Sequence, residues 1–232
     1  MKKFDVEKTL AYLRGLNSRS LGLRLADVGH RAPTIQLLRR IDIYDRTGKL
    51  VKTTGDRKSH SFVLQFLQIL ELHMAHIYSS NPDGVTVKDT DGNNRAWSYT
   101  SSQYVANTLA VEAPSTDDSY GILVGTGTTA PALDDYQLET KTAQGSGSGQ
   151  LQYGATSVAA AAIVGSNVDM VISRTFINAS GASITIREVG LALREMWYGS
   201  TNYKFLIAHD AVNQTVENTY IAVVTYTVRV TV

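Results

Sequence analysis

Ile221-Ala222-Val223-Val224-Thr225-Tyr226-Thr227-Val228-Arg229-Val230-Thr231-Val232 closes the chain. Alternation puts Val224, Tyr226, Val228, Val230 and Val232 on one face, and Ile221, Val223, Thr225, Thr227, Arg229 and Thr231 on the other. A period of two among β-branched residues is the pattern of a strand with one buried face. Chain ends fray unless something ties them down, so this run is expected to pair in a sheet. Similar runs precede it, near Tyr120–Val124, Leu151–Tyr153, Asp169–Asn178, Ser183–Leu193 and Tyr203–Asp210. Gly, Ser, Thr and Asn turns separate them. Asn178-Ala179-Ser180-Gly181, between two long strands, reads as a hairpin turn. Gln144-Gly145-Ser146-Gly147-Ser148-Gly149-Gln150 reads as a flexible loop by composition. Short strands with Gly-rich turns predict an antiparallel β-sandwich over residues 119–232.

Upstream, Ala113-Pro114-Ser115-Thr116-Asp117-Asp118 marks a boundary. Residues 59–118 read as a helix followed by short strands. Ser61 is a good N-cap for Phe62-Val63-Leu64-Gln65-Phe66-Leu67-Gln68-Ile69-Leu70-Glu71-Leu72-His73-Met74. That run is apolar nearly all round, with Phe62, Phe66, Ile69 and Leu70 on one face, and predicts a buried helix. Asp89–Asn94 is a turn cluster between strands at Gly84–Lys88 and Ala96–Thr100. Residues 1–58 read as a basic helical arm and a small hairpin. Val6, Leu10, Leu13 and Leu16 recur at helical spacing, and Thr34–Arg40 is read as a further turn of helix. Ile41–Asp45 and Lys49–Lys52 flank Arg46-Thr47-Gly48 as strand, turn and strand. The expected class is therefore α+β, mainly β, with an N-terminal helical arm, a buried helix and a C-terminal antiparallel β-sandwich.

The net charge of +1 conceals an asymmetry. Residues 1–58 hold 14 Lys+Arg and 6 Asp+Glu, a balance of +8, and residues 59–232 have a balance of −7. Opposite-signed halves point to a basic segment that meets an acidic surface, in a partner or in another copy. The residues expected to bind that partner are Arg14, Arg19, Arg24, Arg31, Arg39 and Arg40. Lys2, Lys3 and Lys8 add to the charge, but only Phe4 and Tyr12 interleave as aromatics. No nucleic-acid motif is matched, so nucleic acid is not expected as the partner. Charged residues make up 19% of the chain, below the usual quarter. This is expected of a surface covered by partners, or of one rich in Thr, Ser and Asn.

The absence of cysteine excludes disulfides, a thiolate nucleophile and Cys-based metal sites. No signal-peptide run follows Met1, and Val158–Val164 is too short to span a bilayer. Neither an export signal nor a membrane segment is expected. Asn178 and Asn213 sit in glycosylation patterns and are read as ordinary turn residues. Gly125-Thr126-Gly127-Thr128-Thr129-Ala130 fits a loose dinucleotide-binding pattern. No helix or βαβ unit follows, so a tight glycine turn is the reading. His73 and His76, near Glu71, share a helix but lack a third ligand for zinc. His209-Asp210 has no Gly-x-Ser-x-Gly partner and reads as a strand-end pair. Asp117/Asp118 and Asp134/Asp135 are adjacent in sequence, and nothing places them on two sides of a glycosidic bond. No catalytic, cofactor-binding or metal-ligating set is expected. Trp97, Tyr99, Tyr104 and Trp197-Tyr198 fit core or interface packing better than a sugar platform.

Tyr120-Gly121-Ile122-Leu123-Val124-Gly125-Thr126-Gly127-Thr128-Thr129-Ala130-Pro131, followed by Leu133–Leu138, Arg174–Leu191 and the closing Tyr226–Val230, resembles structural proteins of tailed-bacteriophage virions, of the tail, fibre or head-associated type. The resemblance covers about half the chain, with a weaker echo over Ser59–Met74. It carries over no catalytic residue. It implies a non-enzymatic assembly part, made in the host cytoplasm and located in the virion, whose partners are copies of itself and other virion proteins. A tail, neck or baseplate position is favoured over a capsid-surface decoration protein or a host-surface carbohydrate-binding module.

Overall fold

The terminal alternation folds as a strand, and its apolar face supplies part of the core. The computed structural model describes residues 34–59, 62–75, 85–97, 110–196 and 202–231. In chain order the strands are β1 Thr34–Tyr44, β2 Leu50–Thr53, β3 Arg57–Lys58, β4 Val85–Lys88, β5 Asn94–Trp97, β6 Gly121–Gly125, β7 Gln152–Val158, β8 Ala162–Val164, β9 Asn167–Ile177, β10 Ile184–Met196, β11 Asn202–Val216 and β12 Ile221–Thr231; helix α1, Leu64–Ala75, lies between β3 and β4. The described chain is thus mainly β.

One sheet runs β2-β1-β12-β9-β7, with β3 added to β1 and β8 to β9. A second runs β11-β10-β6, and β4-β5 form a separate hairpin. β9 pairs antiparallel with both β7 and β12, and β10 with both β6 and β11. Ala222, Val224 and Tyr226 of β12 are fully buried with Ile172 and Phe176 of β9. They share one hydrophobic cluster with Ile122, Val189, Leu191 and Leu206 of the second sheet. The Tyr226 hydroxyl donates to Asp210 Oδ2 of β11 in the second sheet (2.8 Å). The Tyr153 hydroxyl donates to the carbonyls of Thr142 (2.6 Å) and Val124 (3.3 Å), and its ring meets Phe176 edge-on at 4.8 Å.

Four expectations change. First, Thr34–Arg40 is not a turn of helix but the first half of β1. Its continuation, Ile41–Tyr44, makes the expected hairpin with β2, turned by Asp45, whose carboxylate accepts from the Thr47 and Lys49 amides, and by Gly48 at φ +81°. The helical arm therefore finds no support in residues 34–58, and the rest of it lies outside the described residues. Ile35–Thr231 forms one compact unit.

Second, Asn178–Gly181 does not close a hairpin. β9 and β10 lie in different sheets, and so do β11 and β12. The two crossings are laced together. The Asn178 carboxamide donates to the carbonyls of Ala182 (2.8 Å) and Val216 (2.7 Å). The Asn178 amide donates to Tyr220 O, and the Thr219 amide to Asn178 O. A turn-forming asparagine thus serves a corner between sheets as well as it would a hairpin. Asn213, the other glycosylation-pattern residue, lies within β11.

Third, residues 144–150 are held by their own glutamines. Gln150 Oε1 accepts from the Gly147 amide, and Gln144 Oε1 from the Tyr153 amide. Fourth, α1 is buried on one face only. Ile69 and Leu72 face the core, whereas Leu67 and Met74 are 60% and 77% exposed and Leu70 is exposed as well. No described helix is long and apolar enough to cross a membrane.

Candidate association surface

The helix that covers one end of the core leaves an apolar groove beside it. Phe62 and Phe66 stack there at 3.9 Å between ring centres. With Ile69 and Leu70 they face Met170 and Ile172 of β9, Val228 of β12, and Leu191, Leu193 and Ile207 of the second sheet. The groove holds about 1030 Å³ and is open to solvent. Among the described residues its ionisable linings are His73 and Glu112. Ile35, at the start of β1, also lines it and is 72% exposed. Next to it, the β8 edge exposes Ile163 and Val164. This edge is the end of the apolar run Val158–Val164. Contiguous exposed apolar surface of this kind marks a place of association.

Of the arginines expected to bind a partner, Arg14, Arg19, Arg24 and Arg31 lie outside the described residues. Arg39 and Arg40 are neighbours on β1 and so point to opposite sides. Arg40 is exposed and paired with Asp42 (2.8 Å), an interaction that holds its pKa above the ordinary arginine value. Arg39 is 7% exposed, and its Nη1 donates to the Ala211 carbonyl (3.0 Å).

His76, Tyr99, Tyr104, Trp197 and Tyr198 also lie outside the described residues. His73 is on α1, and burial lowers its pKa. Among the described residues no group of three His, Asp or Glu side chains is placed to hold a metal ion.

His209 is not at a strand end. It lies midway along β11, buried, with Nδ1 2.6 Å from Asp135 Oδ2 and Nε2 3.2 Å from Glu188 Oε2. Glu188, on β10, accepts from the backbone amides of Gly127 (3.0 Å), Glu139 (2.9 Å) and Thr140 (2.7 Å). Burial raises the Glu188 pKa, but the hydrogen bonds from His209 and these amides outweigh it, so the net shift is downward. Burial lowers the His209 pKa, but its two carboxylate partners outweigh that, and the net shift is upward. Glu139 in turn accepts from the amides of Thr128 and Thr129. Two carboxylates therefore take up the amides of the glycine-rich loop that a phosphate would need. Asp135 and Asp118 are likewise engaged, Asp118 with Lys141 (3.0 Å) and the Gln144 amide (2.7 Å).

Gly125 and Gly127 owe their identity to this packing. A Cβ on Gly125 would collide with the Glu188 carboxylate and lie 2.5 Å from the Thr140 carbonyl; one on Gly127 would lie 2.6 Å from both Glu139 and Glu188. Gly125→Ala is therefore expected to destabilise the fold by roughly 2–3 kcal/mol, as overpacking against an immobile group does. Urea unfolding of the variant beside wild type measures it.

Charged residues at inward strand positions were the signal for these interactions. Arg174 alternates with the inward-facing Ile172 and Phe176, and Glu188 stands next to Val189 in an otherwise apolar run. Lys and Glu are almost never buried unpaired, and the same holds for Arg, so each such position calls for partners from elsewhere in the chain.

No protein-family model matches this chain, and neither the curated proteins nor the solved structures contain a match.

Proposed function

We propose that this chain is a non-enzymatic structural component of a tailed-bacteriophage virion that works by association. Its body is two facing sheets in a sandwich arrangement, and its contacts are the apolar groove beside α1 and the basic N-terminal part of the chain. The observation that carries this reading is the groove itself. It lies beside an α1 face bearing Leu67, Leu70 and Met74 and beside the exposed β8 edge, in a chain with little charge. A face of this kind is stable in water once another protein covers it. The resemblance of Tyr120–Leu138, Arg174–Leu191 and Tyr226–Val230 to phage virion proteins supplies the context, with a tail, neck or baseplate position favoured. Virion parts occur as symmetric sets, in which weak single contacts become strong together.

Native mass spectrometry of the full chain, alone and mixed with the other virion proteins, tests this. The expected result is an oligomer or a hetero-complex. Its dissociation constant should rise at least tenfold in the Leu67→Glu/Met74→Glu variant, whose substitutions fall on exposed positions. A chain that stays monomeric and binds no virion protein at any concentration would overturn the proposal. Antibody-gold labelling of intact particles then separates tail from capsid surface.

A further inference from the structure

Among the described residues, two buried arginines are treated in opposite ways. The Arg174 guanidinium donates to five backbone carbonyls: Gly154 (2.8 Å), Tyr120 (2.9 Å), Ile122 (3.0 Å), Pro114 (3.3 Å) and Asp117. Arg39 is almost as deeply buried, yet it makes one hydrogen bond, from Nη1 to Ala211 O. Its Nε is buried without an acceptor, and no carboxylate among the described residues forms an ion pair with it. A desolvated guanidinium with a buried idle Nε donor is unfavourable unless an anion completes it.

Its neighbours deepen the deficit. Arg39 stands directly opposite Arg57 in the β1–β3 pairing, where like charges repel. Both line a pocket of about 540 Å³ with Lys52, Lys58, Asn213 and Gln214. Lys52 and Lys58 are exposed at its mouth. Of the acids near this corner, Asp42 is paired with Arg40, and the buried Asp210, beside Ala211, accepts from the hydroxyls of Ser59 (2.7 Å) and Tyr226 (2.8 Å).

We propose that this pocket, between β2–β3 and β11, is a receptor for a single carboxylate presented by another protein, with Arg39 as its buried anchor and Lys52 and Lys58 as its rim. Guanidinium groups bind carboxylates through parallel N–H donors, and a desolvated site strengthens such bonds. The carboxylate source that fits is the acidic part of a second copy, since residues 59–232 carry a balance of −7. As an account of assembly this rests on the association proposed above; the anion chemistry of the pocket does not, and the experiment separates them.

Isothermal titration of the full chain at constant ionic strength, with triglutamate, inorganic phosphate and chloride as probes, is the test. Triglutamate is expected to bind saturably at one site per chain. Affinity should fall at least tenfold in Lys52→Gln/Lys58→Gln, whose positions are exposed, and be lost in Arg39→Met. Leu67→Glu/Met74→Glu should bind triglutamate like wild type even if it fails to associate. No saturable binding beyond chloride would overturn the proposal, as would full affinity in the Lys52/Lys58 variant. A site that takes phosphate but not triglutamate would overturn the carboxylate assignment.

Discussion

Arg174→Met is expected to destabilise the fold by about 3–5 kcal/mol, the range for removing one member of a buried charged network. Arg174 is on β9 of the larger sheet, but the carbonyls of Tyr120 and Ile122 belong to β6 and its lead-in, and those of Pro114 and Asp117 to the preceding turn. One side chain thus ties the two sheets and an irregular segment together. Methionine restores most of the volume but none of the donors, and it leaves buried carbonyls without partners. The ring of Tyr153, 4.8 Å from the guanidinium, also loses its cation. Arg174→Lys is expected to recover less than half of the loss, because an ammonium has three donors from one point and cannot reach five carbonyls spread around a planar fork. Equilibrium urea unfolding of both variants provides the measurement. A loss below about 1 kcal/mol for Arg174→Met would show that the carbonyls find water or other donors.

Glu188→Gln is expected to cost about 2–4 kcal/mol, with a dependence on pH that identifies the cause. The carboxylate accepts from three amides and from His209, whereas a carboxamide has one acceptor and brings an N–H₂ toward amides that are themselves donors. The Glu188 pKa is lowered in the fold. Its contribution is present above the unfolded glutamate pKa of about 4.3, and is lost as pH falls through the lowered value. The His209 pKa is raised. Its contribution is complete below the unfolded histidine pKa of about 6.5, and is lost as pH rises through the raised value. The stability difference between wild type and Glu188→Gln should therefore be greatest between about pH 4.5 and 6.5. It should vanish in acid and shrink only in part in alkali, where Glu188 still holds its three amides. Thermal unfolding of the pair across pH 3–9 measures this as about a difference profile, and a flat profile would rule out the charged cluster as the origin.

The strands were legible where one mechanism dominates. Ile221–Thr231 and Asn167–Ile177 alternate because one face meets a core and the other does not, and this requirement is written residue by residue. The glycine-rich stretch at 125–130, expected as a tight turn, begins in β6 and runs on as irregular chain, with neither Gly125 nor Gly127 at positive φ. The reason for those glycines was not legible. Glu188, some 60 positions away, is what leaves no room for a Cβ. Thr34–Arg40 was misread because a short run with Leu37 and Leu38 and two arginines satisfies helical and extended patterns alike; pairing with β3 and a place in the larger sheet selected the strand.

Local chemistry thus specified that this is a β-rich chain, where many but not all of its strands run, that it has no cysteine chemistry, and that its charge is divided between its two ends. It could not say which strands would be neighbours. The Asn178 turn is equally good for a hairpin or for a crossing between sheets, and the choice came from Val216 and Tyr220, far away in sequence. The same holds for the two buried arginines. An arginine at an inward strand position announces a need for acceptors, but only the packing of distant segments supplied five carbonyls to Arg174 and one to Arg39. Pairing and burial depend on contacts between remote parts of the chain, and a run of residues encodes its own periodicity but not the partner that will complete it.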